Sequence, residues 1–180
     1  MSRHAKVLYK LLRNRKHAVG CEVGVHAGDT TGYLLRNLPE IKKYYAIDPW
    51  KIYKMYDGTN YRKPGNKKYR TMELAMKNYF KVIKPYKKKV VTYRMTSVEA
   101  IKHIPKNSLD WVFIDANHEY EYIKENLFLW TIKVKHGGLI SGHDYGNKWK
   151  GIKQAVDEFV PANKLTVSPH CVWSCIRGEF

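Results

Sequence analysis

Two short clusters of ionisable residues in this sequence each follow an apolar run. Asp115-Ala116-Asn117-His118 comes after Trp111-Val112-Phe113-Ile114, and His143-Asp144 comes after Leu139-Ile140-Ser141-Gly142. Apolar runs of this length, bounded by turn residues, read as buried strands, so Asp115, His118, His143 and Asp144 all fall at strand ends. Carboxylates and imidazoles gathered at one rim carry a desolvation cost that is offset when they bind a cation or handle a proton. Imidazole suits the second task because its pKa lies near neutral pH. Capping of the following helix would explain Asp115 alone, but not the other three.

A second constellation lies nearer the N-terminus. Val19 to Val23 suits a buried strand; Gly24 and Gly28 follow, and Asp29, Thr30 and Thr31 can each cap a helix that runs to Asn37. Glycine at 24 permits a tight turn, and glycine at 28 leaves no Cβ between the chain and a ligand lying against it. Tyr44-Tyr45-Ala46-Ile47 reads as the next strand and closes on Asp48, whose carboxylate can accept two hydrogen bonds from a ribose diol. Strand, glycine turn, helix start and distal acid together fit a nucleoside.

Glu22-x-Gly24-x-x-x-Gly28 followed by Asp48 resembles the cofactor signature of class I S-adenosylmethionine-dependent methyltransferases. The Gly-x-Gly-x-x-Gly of dinucleotide-binding proteins is absent, which argues against a dehydrogenase. Asp115 and Asp144 resemble the ligands of the metal-dependent O-methyltransferases of the catechol and macrolide-sugar types. In those enzymes an Asp after the fourth strand and an acidic or amide pair after the fifth hold a divalent cation, Mg²⁺ or Mn²⁺. His143 stands at the first position of that pair, usually Asp or Asn, and as a softer ligand it suits Mn²⁺, Fe²⁺ or Zn²⁺ better than Mg²⁺. Asp115-x-x-His118 matches the spacing at which the sugar-type enzymes carry a His general base. The resemblance therefore implies S-adenosylmethionine on Glu22, Gly24, Gly28, Asp48 and Asp115, and a cation on Asp115, His143 and Asp144. It further implies His118 as the base for a hydroxyl of a sugar, glycan or other small acceptor.

The elements that must position these residues form an α/β pattern. Lys6 to Arg15 places Val7, Leu8, Leu11 and Leu12 at helical spacing, a structural helix within residues 1–17. Residues 49–68 interleave aromatic and basic side chains from Trp50 to Tyr61 and read either as a substrate lid or as a surface loop pinned by its aromatics. Tyr69 to Lys84 is helical, with Met72, Ala75, Met76, Tyr79, Phe80 and Ile83 on one face and Pro85 as terminator. Lys89 to Arg94 is the third strand, whose end is expected beside the first strand's turn. There Thr96 and Ser97 would contact an adenine, Ser97 would cap the helix that follows through His103, or both. Asp110 to Ile114, a helix through Trp130, a His136-Gly137-Gly138 turn, Leu139 to Gly142 and a helix from Gly151 to Val160 follow in order. Lys164 to Val167 and Cys171 to Ile176 can pair as an antiparallel hairpin. The expected fold is thus a Rossmann-like, doubly wound, mainly parallel sheet with helices on both faces, one domain over residues 1–180.

A chain of 180 residues supports one such domain with a full core. No apolar run reaches membrane-spanning length, and the basic N-terminus lacks an apolar signal segment, so a soluble cytoplasmic protein is expected. The three cysteines read as buried thiols of a reducing compartment. With 33 Lys and Arg against 16 Asp and Glu, the net charge of +17 would attract polyanions. The lysines are dispersed and no nucleic-acid motif accompanies them, so a nucleic-acid methyltransferase is an alternative that is not favoured, as is a nucleotide-binding scaffold without catalysis. The oligomeric state is open, a homodimer included.

Overall fold

In the computed structural model, residues 2–16, 18–52 and 71–179 are described. The elements are α1 (Arg3–Leu12), β1 (Val19–Val23), α2 (Asp29–Asn37), β2 (Lys43–Ile47), α3 (Met72–Ile83), β3 (Val90–Tyr93), α4 (Ser97–Ala100), β4 (Leu109–Ile114), α5 (Tyr120–Thr131), β5 (Val134–Gly142), α6 (Lys150–Phe159), β6 (Thr166–Ser168) and β7 (Val172–Ile176). The strands form one sheet in the order β3-β2-β1-β4-β5-β7-β6. The first five are parallel, and β7 runs antiparallel to both β5 and β6. This is the expected doubly wound sheet with its C-terminal hairpin.

Alternation along each strand assigns the side chains to two cores. Tyr44, Ala46, Trp111 and Phe113 face α1, α2 and α3, burying Leu8, Leu12, Leu34, Leu35, Tyr79 and Ile83. Cys21, Val23, Tyr45, Ile47, Val112 and Ile114 point the other way, onto α4, α5 and α6 with Ile101, Leu127, Trp130, Ile152 and Val156. Both faces of the central strands are covered, which is why they read as near-continuous apolar runs. The order reverses between β1 and β4, so a crevice opens at their carboxyl ends.

Several boundaries and placements differ from the sequence expectation. α1 starts three residues earlier than Lys6, because the Ser2 hydroxyl accepts from the Ala5 amide and caps it, and it ends at Leu12. α2 starts at Asp29 behind a left-handed Gly28 rather than behind a side-chain cap at Asp29, Thr30 or Thr31. The helix expected from Tyr69 begins at Met72, capped by Thr71, and Pro85 sits inside a closing 3-10 turn. Phe80 is exposed, since Tyr79 takes the sheet-facing position and the next residue turns away by a helical step. His136-Gly137-Gly138 lies inside β5 as an irregularity, where the register with β4 shifts between Leu109 and Trp111. β2 lies between β3 and β1, and Thr96 and Ser97 after β3 still line one cavity with Gly24. Cys171 is exposed in the β6–β7 turn, while Cys21 and Cys175 are buried, and all three thiols are free.

Of the two readings of the loop, Trp50 fits the one in which aromatic side chains pin it. It is buried among α3 residues, with its ring centroid 5.1 Å from that of Tyr79, and its indole Nε1–H donates to the His26 carbonyl at 2.7 Å. It anchors the chain after β2. Residues 53–70, most of the expected lid, lie outside the described residues. No helix among the described residues is long and apolar enough to cross a membrane.

Candidate active site

One cavity lies at the carboxyl ends of the parallel strands, walled among others by Gly24, His26, Asp48, Thr96, Ser97, Asp115, His118 and Asn126. Its floor depends on Gly24. Gly24 has φ of 91° and donates its N–H to the Ile47 carbonyl at 2.8 Å, and a Cβ there would stand 2.1 Å from the Asp115 carbonyl oxygen. Only glycine lets the β1–α2 loop cross the end of β4 this closely.

Asp48 holds the same loop from the side. The backbone N–H groups of Val25 and His26 donate to its Oδ2 at 3.0 and 2.8 Å, and the Trp50 N–H donates to Oδ1 at 2.7 Å. A carboxylate offers about four acceptor sites, so roughly one is left for a ligand hydroxyl. Thr96 caps α4 in a reciprocal capping box with Glu99, a role the sequence reading had given to Ser97. Ser97 instead donates to Asn126 Oδ1 and accepts from the Trp130 indole at 2.7 Å, tying α4 to α5 at the cavity wall.

Glu22 and Gly28 lie off the cavity. Glu22 is buried under α2, where the Thr31 and Tyr44 hydroxyls both donate to its Oε2 at 2.5 Å. Burial raises its carboxyl most, the two hydroxyls oppose the rise and the Asp115 and Asp48 charges add to it, leaving it at about 8. Gly28, with φ of 81°, has Tyr79 against it: a Cβ would meet that residue at 3.1 Å. Its missing side chain makes room for α3.

The rim residues converge. His118 Nε2 is 2.8 Å from Asp144 Oδ2, and its ring stacks on Trp149 with centroids 4.2 Å apart. His143 Nδ1 lies 3.5 Å from Asp115 Oδ1 and 3.4 Å from Asp144 Oδ1. Burial lowers the His143 pKa, but the two carboxylates outweigh it and lift the imidazole to about 10. Burial raises Asp144, yet the neighbouring His118 and His143 leave it well below the usual carboxylate range. Asp115 shows the same opposition, burial against His143 and His4, and ends below its ordinary value. Asp115, His118 and Asp144 form one group of donor atoms close enough to share an ion, and His4, Asp115 and His143 form another.

His4 is the participant that the sequence reading left out. It rides on α1, where Nε2 lies 3.7 Å from Asp115 Oδ2 and 2.9 Å from Thr30 Oγ1, and its ring centroid is 4.2 Å from that of His143. Burial lowers its pKa, with the His143 charge adding to that and Asp115 opposing, which favours the neutral imidazole. The available signal was the i, i+4 row His4, Leu8, Leu12, which puts the imidazole on the helix's buried face.

A family model described as a methyltransferase domain matches residues 21–145. The chain belongs to that family, among the class I S-adenosylmethionine-dependent methyltransferases. Similar solved structures include the O-methyltransferase from Bacillus cereus in complex with SAH, at 13% identity over 98% of this chain and 82% of that one, with a TM-score of 0.66. The O-methyltransferase TomG from Streptomyces achromogenes, involved in tomaymycin synthesis and solved with SAM, is 14% identical over 99% of this chain and 81% of that one, with a TM-score of 0.66. The N-methyltransferase NodS from Bradyrhizobium japonicum is 13% identical over 98% and 95% of the two chains, with a TM-score of 0.62. No curated protein matches the sequence significantly.

Proposed function

We propose that this protein transfers the methyl group of S-adenosylmethionine to a hydroxyl of a small acceptor such as a sugar, polyol or phenol, with a divalent cation at the rim and His118 as general base. The observation that carries the reading is the shared cavity: Gly24, Asp48, Ser97 and Asn126 line it together with Asp115 and His118. S-adenosylmethionine supplies a sulfonium-bound methyl; the acceptor oxygen forms a bond to that carbon as the C–S bond breaks, and the electron pair stays on sulfur as a neutral thioether. A divalent cation held by Asp115, His143 and Asp144 would lower the acceptor's pKa.

The chain's own residues do the rest. Asp48 fixes the loop through three backbone N–H groups and keeps acceptor capacity for a ribose hydroxyl. Asp144 holds His118 Nε2, and Trp149 holds the plane of its ring, so the imidazole is oriented before substrate arrives. The proton leaving the hydroxyl passes to His118, and the adjacent Asp144 carboxylate stabilises the imidazolium that forms. The test is release of S-adenosylhomocysteine against a panel of sugars, polyols and phenols, with and without chelator. Turnover of a hydroxyl acceptor that chelator suppresses supports the reading; methylation confined to amines, or indifference to chelator on a true substrate, overturns it.

A further inference from the structure

We infer that His4 of α1 is a ligand of the rim's cation site, forming with Asp115 and His143 a set of two imidazoles and a carboxylate that takes a borderline transition-metal ion such as Zn²⁺ in preference to Mg²⁺. The inference rests on the reading that this rim binds a cation, and adds to it a ligand from an element outside the matched family region, which begins at residue 21.

The distances separate ligands from hydrogen-bonding partners. His118 Nε2 and Asp144 Oδ2, at 2.8 Å, make an ordinary hydrogen bond. The other contacts are longer: 3.4 Å from His143 Nδ1 to Asp144 Oδ1, 3.5 Å from His143 Nδ1 to Asp115 Oδ1, and 3.7 Å from His4 Nε2 to Asp115 Oδ2. Those lengths exceed the usual hydrogen-bond range. Two donors that each stand about 2.1 Å from one tetrahedral ion are about 3.4 Å apart, and the His143–Asp115 and His4–Asp115 separations lie within a few tenths of an ångström of that. Two imidazoles with one carboxylate suit Zn²⁺, Co²⁺ or Fe²⁺; Mg²⁺ favours oxygen donors in octahedral array.

The surroundings of His4 fit a ligand. The buried Thr30 hydroxyl lies 2.9 Å from Nε2, and when it donates there that nitrogen carries the in-plane lone pair, which an ion would take in place of the hydroxyl. α1 is seated by Ala5, Leu8 and Leu12, all fully buried, so the imidazole is delivered on a packed element. Metal binding would thereby tie the N-terminal helix to the ends of β4 and β5.

The test uses the full chain, stripped with chelator and titrated with Zn²⁺, Mg²⁺ and Co²⁺ by calorimetry and visible absorption. Expected are Zn²⁺ binding at least 100-fold tighter than Mg²⁺, intense tetrahedral Co²⁺ bands, and a 10- to 100-fold loss of Zn²⁺ affinity in His4→Ala and His4→Gln with weakening of those bands. Thr30→Val, which removes the hydroxyl and no ligand, should keep wild-type affinity. His4→Gln retains a hydrogen-bonding group at α1, and its circular dichroism verifies folding should His4→Ala be unstable. Asp115→Ala separates the two ideas. Loss of binding in Asp115→Ala with wild-type affinity and spectrum in both His4 variants sinks the role of His4 and leaves the rim site standing. A wild-type protein that binds none of the ions sinks both, and Mg²⁺ bound as tightly as Zn²⁺ overturns the proposed ligand set.

Discussion

His118 Nε2 and Asp144 Oδ2 stand 2.8 Å apart across the ends of β4 and β5, with the His118 ring lying on Trp149. The pair joins a group able to take a proton to a carboxylate that fixes its direction, while the second oxygen of Asp144 faces His143. One carboxylate thus touches both the proposed base and the proposed cation site. His118→Ala should lower turnover on the order of 10²-fold or more, the scale of a lost general base. Affinity for S-adenosylhomocysteine, read by calorimetry, should stay near wild type. Asp144→Asn should lower turnover and also raise the metal concentration needed for half-maximal activity. Full activity in His118→Ala would remove it as the base.

Asp48 leads to a different expectation because its partners are backbone amides. Three N–H groups donate to it. Hydrogen bonds to a charged group contribute about 1.5 to 3 kcal/mol each, and an amide NH₂ in place of either oxygen would face a donor. Asp48→Asn should therefore behave much like Asp48→Ala, with a lowered melting temperature and weakened S-adenosylmethionine binding together. A variant that keeps wild-type stability and loses only affinity would assign Asp48 to the ribose alone.

The parts of this molecule visible in the sequence are those set by local chemistry. The alternation that places Trp111 and Phe113 on one face and Val112 and Ile114 on the other belongs to any buried strand. Gly24 announces its turn because no other residue tolerates its φ of 91° beside the Asp115 carbonyl. What was not legible depends on residues distant in sequence. Gly28 looks like a ligand-facing glycine until Tyr79, 51 positions on, is seen against it. His4 looks like any polar residue opening a helix until α1 docks and brings it to Asp115, 111 positions away. The irregularity in β5 likewise arises in pairing with β4, where Gly137, with φ of 75°, imitates a turn.

Glu22 predicts a pH dependence of stability that its position under α2 controls. Its carboxyl rises from 4.5 to about 8 in the folded protein, with Tyr44, Thr31, Asp115, Asp48 and Cys21 facing it. A folded-state pKa above the unfolded one means that folding favours the protonated form. The stabilising effect is full below the unfolded value and declines as pH rises toward about 8, by at most about 1.4 kcal/mol per pH unit. Glu22→Gln keeps an oxygen for the two hydroxyls and cannot ionise. Urea denaturation from pH 5 to 9 should show the variant gaining on wild type as pH rises, then levelling above 8. A constant difference across that range would mean that Glu22 titrates alike in the folded and unfolded states.

Gly24 and Gly28 provide the sharpest comparison, since both have positive φ and only one lines the cavity. A Cβ on residue 24 would stand 2.1 Å from the Asp115 carbonyl oxygen, a backbone atom that can yield only by moving the end of β4. Gly24→Ala should therefore destabilise the protein strongly and abolish S-adenosylmethionine binding, because the β1–α2 loop and Asp115 would be displaced together. A Cβ on residue 28 would meet the Tyr79 ring at 3.1 Å and its Cα at 3.3 Å, contacts that a shift of a few tenths of an ångström relieves. Placing alanine at that φ costs roughly 1 kcal/mol. Gly28→Ala should consequently lower the melting temperature by several degrees while leaving S-adenosylmethionine affinity within about threefold of wild type at a temperature where it is folded. Calorimetric titration of both variants beside a melting curve decides the matter. Loss of affinity in a well-folded Gly28→Ala would put the cofactor against residue 28, as the glycine spacing alone suggests, and would mean that α3 moves aside to admit it.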